Sequence, residues 1–248
     1  MIVALMIGRA GSSGFPGKNV KKVLGRSLCE YSLIASKNSK YVNKIFISTD
    51  CPVITRVGKK YGAIHINRPK RLVSNKALGE HVYEHGYFVI KKLLNLDAKN
   101  IEFIVLLMAN APTITGKLID KGINILRKNK NIDSAVTTSI YNMWSPLRAR
   151  KIDNNNLLKP FVPFKTFGNP KTLSCDRNSQ GNVYYADMSA SIVRPKCLEK
   201  LKDGLLPQKW MGKKIASISS WGGCDVDYEW QLPIVEFWLK KNGYKKKC

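Results

Sequence analysis

Acidic residues, histidine and paired cysteines are all scarce in this chain, and each shortage removes a class of function. Six cysteines, at 29, 51, 175, 197, 224 and 248, include no Cys-x-x-Cys, and the three histidines at 65, 81 and 85 add no zinc-like spacing. All six read as free thiols. His81 and His85 lie four apart and share a face if that segment is helical, but no third ligand accompanies them, so their expected role is structural. No stretch approaches the roughly 20 apolar residues of a membrane span. The first apolar run, with only Met1 before it, has neither the charged flank nor the cleavage site of a signal peptide, so a cytoplasmic location is expected.

Seventeen Asp and Glu stand against 42 Lys and Arg, a net charge of +25 that raises the question of nucleic acid. The cations are scattered, with small clusters at Lys21-Lys22, Arg68 to Arg71, Arg127 to Lys130 and Lys245 to Lys247. None is interleaved with aromatics as a stacking platform would be. The pattern favours a solvated basic surface, which also draws in small anions. At 248 residues, the chain has room for one sizeable domain.

The most informative segment is Arg9 to Asn19, Arg-Ala-Gly-Ser-Ser-Gly-Phe-Pro-Gly-Lys-Asn, directly after the apolar run Ile2 to Ile7. Gly11, Gly14 and Gly17 let the backbone approach an anion. Ser12 and Ser13 supply donors, and Arg9 and Lys18 supply charge. The Walker A pattern fails because Ser12 and Asn19 stand where it needs Gly and Ser or Thr. The dinucleotide fingerprint fails because Arg9 stands two before Gly11. A phosphate-binding loop of another kind remains, with a nucleotide as its ligand.

A second constellation is Asp225-Val226-Asp227, after Gly222-Gly223 and ahead of the last helical pattern. Two carboxylates on alternate residues of an extended segment can face one magnesium ion together with substrate phosphates. An EF-hand is excluded because Trp230 stands where the loop needs glycine. The competing structural reading makes the same carboxylates a helix N-cap.

Between these sites, strand and helix patterns alternate. Helices are expected over 27–36, 53–61 (closed by Gly62), 77–94, 117–127 and 228–240. Strands are expected over 2–7, 44–48, 63–66, 103–107, 134–139, 181–185 and 215–219. Val82, Phe88, Val89 and Leu93 mark the packed side of the third helix, and Leu232, Val235, Phe237 and Leu239 that of the last. The rhythm is that of an α/β protein with a mostly parallel sheet covered on both faces, a three-layer αβα Rossmann-like arrangement. Residues 142–178, rich in Pro, Lys and Asn, interrupt it as an irregular excursion.

The loop resembles the signature of the cytidylyltransferases that activate sialic acid and related sugars, Arg-Gly-Gly-Ser-Lys-Gly-x-Pro-Gly-Lys-Asn. Ala10 replaces a glycine and Ser13 a lysine. The resemblance extends to the Asp-x-Asp, which in that family holds the metal of the triphosphate. Ser48-Thr49-Asp50 and Arg68-Pro69 fall where the family has Ser-Thr-Asp and Arg-Pro.

What the resemblance implies is a transfer of CMP from CTP to an acidic sugar, with Mg2+ held by Asp225 and Asp227. Arg9 and Lys18 act on the phosphates, and Gly11, Ser12, Ser13, Gly14, Asn19, Arg68, Ala77 and Gly79 bind the nucleotide. Asn110, Arg177, Gln180 and Asn182 bind the sugar. Met108 replaces a family glutamine that helps hold that sugar. The excursion at 142–178 implies a homodimer in which one subunit reaches the active site of the other. Two alternatives stay open: a sugar-1-phosphate nucleotidyltransferase on the same fold, and a non-catalytic basic nucleic-acid-binding protein.

Overall fold

Two neighbouring apolar strands divide their side chains between two cores. In the computed structural model, which describes the chain except for residues 12, 13, 75, 96–99, 175, 177–180 and 248, Ile2, Ala4 and Met6 enter one cluster and Val3 and Leu5 the other. Phe103, Val105 and Leu107 do the same against Ile104 and Leu106. Successive strand residues point to opposite faces, so a run that is apolar throughout needs cover on both sides.

In chain order the elements are β1 (Ile2–Ile7), β2 (Lys22–Val23), β3 (Arg26–Ser27), α1 (Leu28–Lys37), β4 (Lys44–Ser48), α2 (Pro52–Lys60), β5 (Ile64–Ile66), α3 (Gly79–Leu94), β6 (Phe103–Met108) and α4 (Gly116–Lys128). There follow β7 (Ser134–Ile140), β8 (Arg150–Ile152), β9 (Leu158–Pro160), β10 (Tyr184–Val193), α5 (Pro195–Glu199), β11 (Ile215–Ser219) and α6 (Leu232–Lys241). Among the described residues seven strands form one sheet, ordered β11-β7-β10-β6-β1-β4-β5. β1 pairs in parallel with β4 and β6, β4 with β5, and β11 with β7.

Helices α1, α2 and α4 cover one face through Leu33, Ile54, Ile119 and Ile123, while α3 and α5 cover the other through Tyr83, Tyr87, Ile90 and Leu198. A third cluster packs α6 on α1, joining Val235, Trp238 and Leu239 to Leu28 and Tyr31. The expected three-layer α/β arrangement is the one observed. Local signals explain the helix ends: the Glu30 carboxylate accepts the Ser27 N–H at 3.1 Å, Thr115 Oγ1 accepts the Leu118 N–H, and Gly62 follows α2 with φ 72°.

The structure corrects several expectations. The strand placed at 181–185 begins at Tyr184, runs to Val193 and pairs antiparallel with β6. Its middle, Asp187-Met188-Ser189-Ala190-Ser191, is mostly small or polar yet buried except at Met188, which hid it from a search for large apolar residues. Phe88 and Leu93 are exposed and α3 packs through its tyrosines; Phe237 is exposed and Trp238 takes its place in the core. The last helix starts at Leu232, after a 3-10 turn at Glu229–Gln231, because Pro233 suits a first turn.

The chain divides into two units, Met1–Thr138 with Asp187–Cys248, and Ser139–Ala186. Within the second unit, β8 and β9 form an antiparallel hairpin where an irregular segment was expected. Asp153 Oδ1 closes its turn by accepting the N–H groups of Asn155 and Leu157, a device too local to show in apolar periodicity. Tyr141 stacks on Trp144 with ring centroids 4.6 Å apart, and Tyr185 meets both edge-on.

Two acids tie the first unit together electrostatically. Arg127 donates to both carboxylate oxygens of Glu102, at 2.7 and 2.8 Å, and those bonds outweigh burial in holding the Glu102 pKa below its ordinary 4.5. Burial pushes the Asp133 pKa upward, but Lys196 and the N–H groups of Lys213 and Lys214 together hold it below 3.8. A depressed carboxylate pKa stabilises the fold above the unfolded value and ceases to do so as pH falls through the folded one. The denaturation midpoint should therefore fall on acidification below about pH 4.5. A Glu102→Gln, Asp133→Asn double variant should lose stability at neutral pH and show a flatter fall, measured by urea titration across pH.

Candidate active site

The sheet order reverses at β1. The chain leaves β1 for β4 and β5 on one side, then returns to β6 on the other, so a crevice opens beyond the carboxyl ends of β1 and β6. Gly8 to Gly11 and Gly14 to Asn19 follow β1 there, and Ala109 to Pro112 follow β6. Gly8 has to be glycine, since a Cβ would lie 2.6 Å from the Cβ of Ala109.

The loop after β1 is held at several points. The Ala10 N–H donates to Asp50 Oδ1 at 3.0 Å, and Asn19 Nδ2 donates to Arg9 O at 2.9 Å, closing the loop on itself. Gly17, at φ 70°, turns the chain into the single 3-10 turn Lys18–Val20. Phe15 is buried in the third cluster beside Val226. The loop and the Asp-x-Asp thus share one apolar footing.

That footing sorts the three residues after Cys224. Val226 is fully buried, while Asp225 and Asp227 line the cleft. Lys18 Nζ pairs with Asp227 Oδ1, although the two residues are 209 positions apart. Asn110 Nδ2 donates to Val226 O at 3.1 Å and to Asp225 Oδ2 at 3.4 Å, and the Asn110 backbone carbonyl accepts the Val226 N–H at 2.8 Å. Burial, then the Asp227 charge, raise the Asp225 pKa above its ordinary value, with Lys18 and Asn110 opposing.

The helix-cap reading of these aspartates does not hold. Gln231 Oε1 accepts the N–H groups of Asp227 and Tyr228, at 2.6 and 2.8 Å, and neither carboxylate caps the turn or α6. Two hard-oxygen carboxylates with a single lysine on them suit a divalent cation, whose charge would relieve their mutual repulsion.

One cleft of about 260 Å³ is lined by Arg9, Lys18, Asn19, Arg68, Ala77, Gly79, Asn110, Asp225 and Asp227, with Met108 and Ser74 beside them. Gly11 stands in open space, and a Cβ on Gly14 would lie 3.5 Å from Asp227 O. Ser12, Ser13, Arg177 and Gln180 lie outside the described residues. Asn182 belongs to the second unit, where it accepts from Asn142 Nδ2.

Arg68 has a role that its spacing did not reveal. Its Nη2 donates to Ser48 O at 2.5 Å and to Gly8 O at 3.1 Å, bracing the ends of β1 and β4. Burial lowers its pKa from the ordinary value, with Asp50 opposing and Arg9 adding to the fall.

Comparison with known proteins decides the class. A family model described as cytidylyltransferase matches residues 3–162. The chain belongs to the cytidylyltransferase family. This cytidylyltransferase is 29% identical to the post-translational flagellin modification protein B of Campylobacter coli, over 99% of this chain and 98% of that one. It is 26% identical, over 68% of its length, to 31% of a Helicobacter pylori protein named pseudaminic acid cytidylyltransferase and UDP-2,4-diacetamido-2,4,6-trideoxy-beta-L-altropyranose hydrolase. Among solved structures, a CMP:2-keto-3-deoxy-manno-octonic acid synthetase complexed with CTP superposes with a TM-score of 0.67 at 12% identity, covering 97% of this chain and 99% of that one; it shares the fold.

Arg68→Lys should destabilise the cytidylyltransferase by about 1–2 kcal/mol, because the ammonium on its flexible stem loses both the rigid plane that fixes Nη2 between the two carbonyls and the Nε donor 3.4 Å from Ser48 Oγ. A thermal melt reads this, and the same variant should bind CTP more weakly as the ends of β1 and β4 loosen.

Proposed function

We propose that the chain transfers CMP from CTP to the anomeric hydroxyl of an acidic sugar of the nonulosonic type and releases pyrophosphate. The observation that carries this is the meeting, in one cleft, of the glycine-rich loop with Asp225 and Asp227. The Helicobacter pylori relative named for pseudaminic acid supports the sugar class, as does a Campylobacter jejuni protein named CMP-N,N'-diacetyllegionaminic acid synthase, 32% identical over 39% of this chain and 45% of that one. The basic surface would attract both anionic substrates.

In the transfer the sugar oxygen bonds to the α-phosphorus, the bond from that phosphorus to the bridging oxygen breaks, pyrophosphate leaves with that oxygen, and the hydroxyl proton passes to water. Arg9 and Lys18 face the triphosphate and stabilise charge on its oxygens. Asn19 holds the loop shut by its bond to Arg9 O. Asp225 and Asp227 would hold Mg2+, which supplies positive charge beside the phosphates when bound. Electrostatic groups of this kind are each worth roughly 3–4 kcal/mol.

The same reading includes a homodimer formed through Ser139–Ala186. Its support is the exposed apolar surface of that unit, including Met143, Ile152, Leu158, Phe161 and Tyr184. No helix among the described residues is long and apolar enough to cross a membrane.

The deciding assay is pyrophosphate release from each of the four nucleoside triphosphates with a panel of acidic sugars. CTP alone should support turnover; release with every triphosphate, or with none, overturns the reading. Asp227→Asn should remove about 99% or more of turnover while leaving the circular dichroism spectrum unchanged. Lys18→Ala should raise KM for CTP at least about tenfold and leave KM for the sugar within about twofold, one hydrogen bond to a charged group being worth about 1.5–3 kcal/mol.

A further inference from the structure

A file of buried polar side chains runs through the first unit to the segment that carries the two aspartates. Thr137, Ser189 and Thr113 are each 0% exposed, and Asp187 is 5% exposed. Thr137 Oγ1 donates to Asp187 Oδ1 at 2.5 Å, and the Ser189 N–H donates to the same oxygen at 3.1 Å. Ser189 Oγ meets Thr113 Oγ1 at 2.8 Å. Thr113 then grips both backbone groups of Cys224: its oxygen accepts the N–H at 2.9 Å, and its hydroxyl faces the C=O at 3.1 Å. With the Thr113 proton on that carbonyl, Ser189 is the donor to Thr113, and both hydroxyls are satisfied.

Gly223 is seated by the same file. A Cβ there would lie 2.3 Å from Asp187 Oδ2, so only glycine lets the carboxylate pack against this stretch. Beyond Cys224, Asn110 takes both backbone groups of Val226. Contacts on the protein side therefore reach each residue from Gly223 to Val226, and Asp225 and Asp227 are left toward the cleft. Valine would fill the Thr113 site at similar volume without a buried hydroxyl, which is costly to desolvate unless it is bonded. Here the hydroxyl is bonded to the aspartate segment itself.

We infer that Thr137, Asp187, Ser189 and Thr113 are positioning residues that hold the Asp225–Asp227 segment in the geometry that binds the divalent cation. The inference rests on the metal reading given under Proposed function. Bonded partners behind metal ligands are typically worth 10–100-fold in affinity. Mn2+ serves as the probe, titrated against the protein with CTP and followed by electron paramagnetic resonance, with thermal melts alongside.

Thr113→Val and Ser189→Ala should each weaken Mn2+ binding about tenfold or more, and should raise the Mg2+ concentration for half-maximal rate in parallel. Thr113→Ser, which keeps the hydroxyl, should bind Mn2+ within about twofold of the parent. If the first two variants melt earlier but bind Mn2+ as the parent does, the file is merely structural and the inference fails. Should Thr113→Val not fold, Ser189→Ala and Asp187→Asn decide between the same outcomes. Asp227→Asn is the separate control: parental Mn2+ binding there overturns the metal reading itself.

Discussion

The site depends on one apolar contact region, the cluster that buries Phe15 and Val226 together against α1 and α6. Neither residue reacts with anything. Val226 lies between Asp225 and Asp227, and Phe15 lies three residues before Lys18, so each anchors charged groups that would drift in solvent without it; burying a large apolar side chain is worth about 1.5–3 kcal/mol. The cluster brings the loop after β1 and the segment before α6 to one place. The Lys18–Asp227 pair follows from that docking, since an exposed ion pair at so large a sequence separation is too weak to organise it.

The sheet supplies the rest of the frame. Parallel pairing of β1 with both β4 and β6 sets three strand ends side by side, and the reversal of strand order leaves a crevice there. Arg68 and Asp50 then tie the loop after β1 to the end of β4. Arg68 is fixed by its bonds to two backbone carbonyls and Lys18 by its pair with Asp227, so part of the cleft's charge is in place before an anionic ligand arrives. That economy suits phosphoryl transfer, in which positioning and electrostatic stabilisation do most of the work.

The chain's excess of cations takes on two meanings in three dimensions. A few, Arg9, Lys18 and Arg68, line the cleft, where their convergence on one place makes each count. A handful of others, such as Lys240 beside Glu236 or Lys159 beside Asp153, pair with acids at the surface and contribute little individually.

The linear order of residues determined the fold class, the loop and the carboxylate pair, because period-two and helical spacing, glycine placement and Asp-x-Asp are local properties. It did not reach the buried part of β10, where Ser189, Ala190 and Ser191 stand in place of large apolar residues, or the β8–β9 hairpin, closed by a single Asp153 side chain. Three-dimensional structure alone decided that Gln231 caps the turn and frees the aspartates for the cleft, that Arg68 is a brace, and that Thr113 grips Cys224. Those are partnerships between positions brought together by packing, and the choice of partner for a buried polar group belongs to the folded chain.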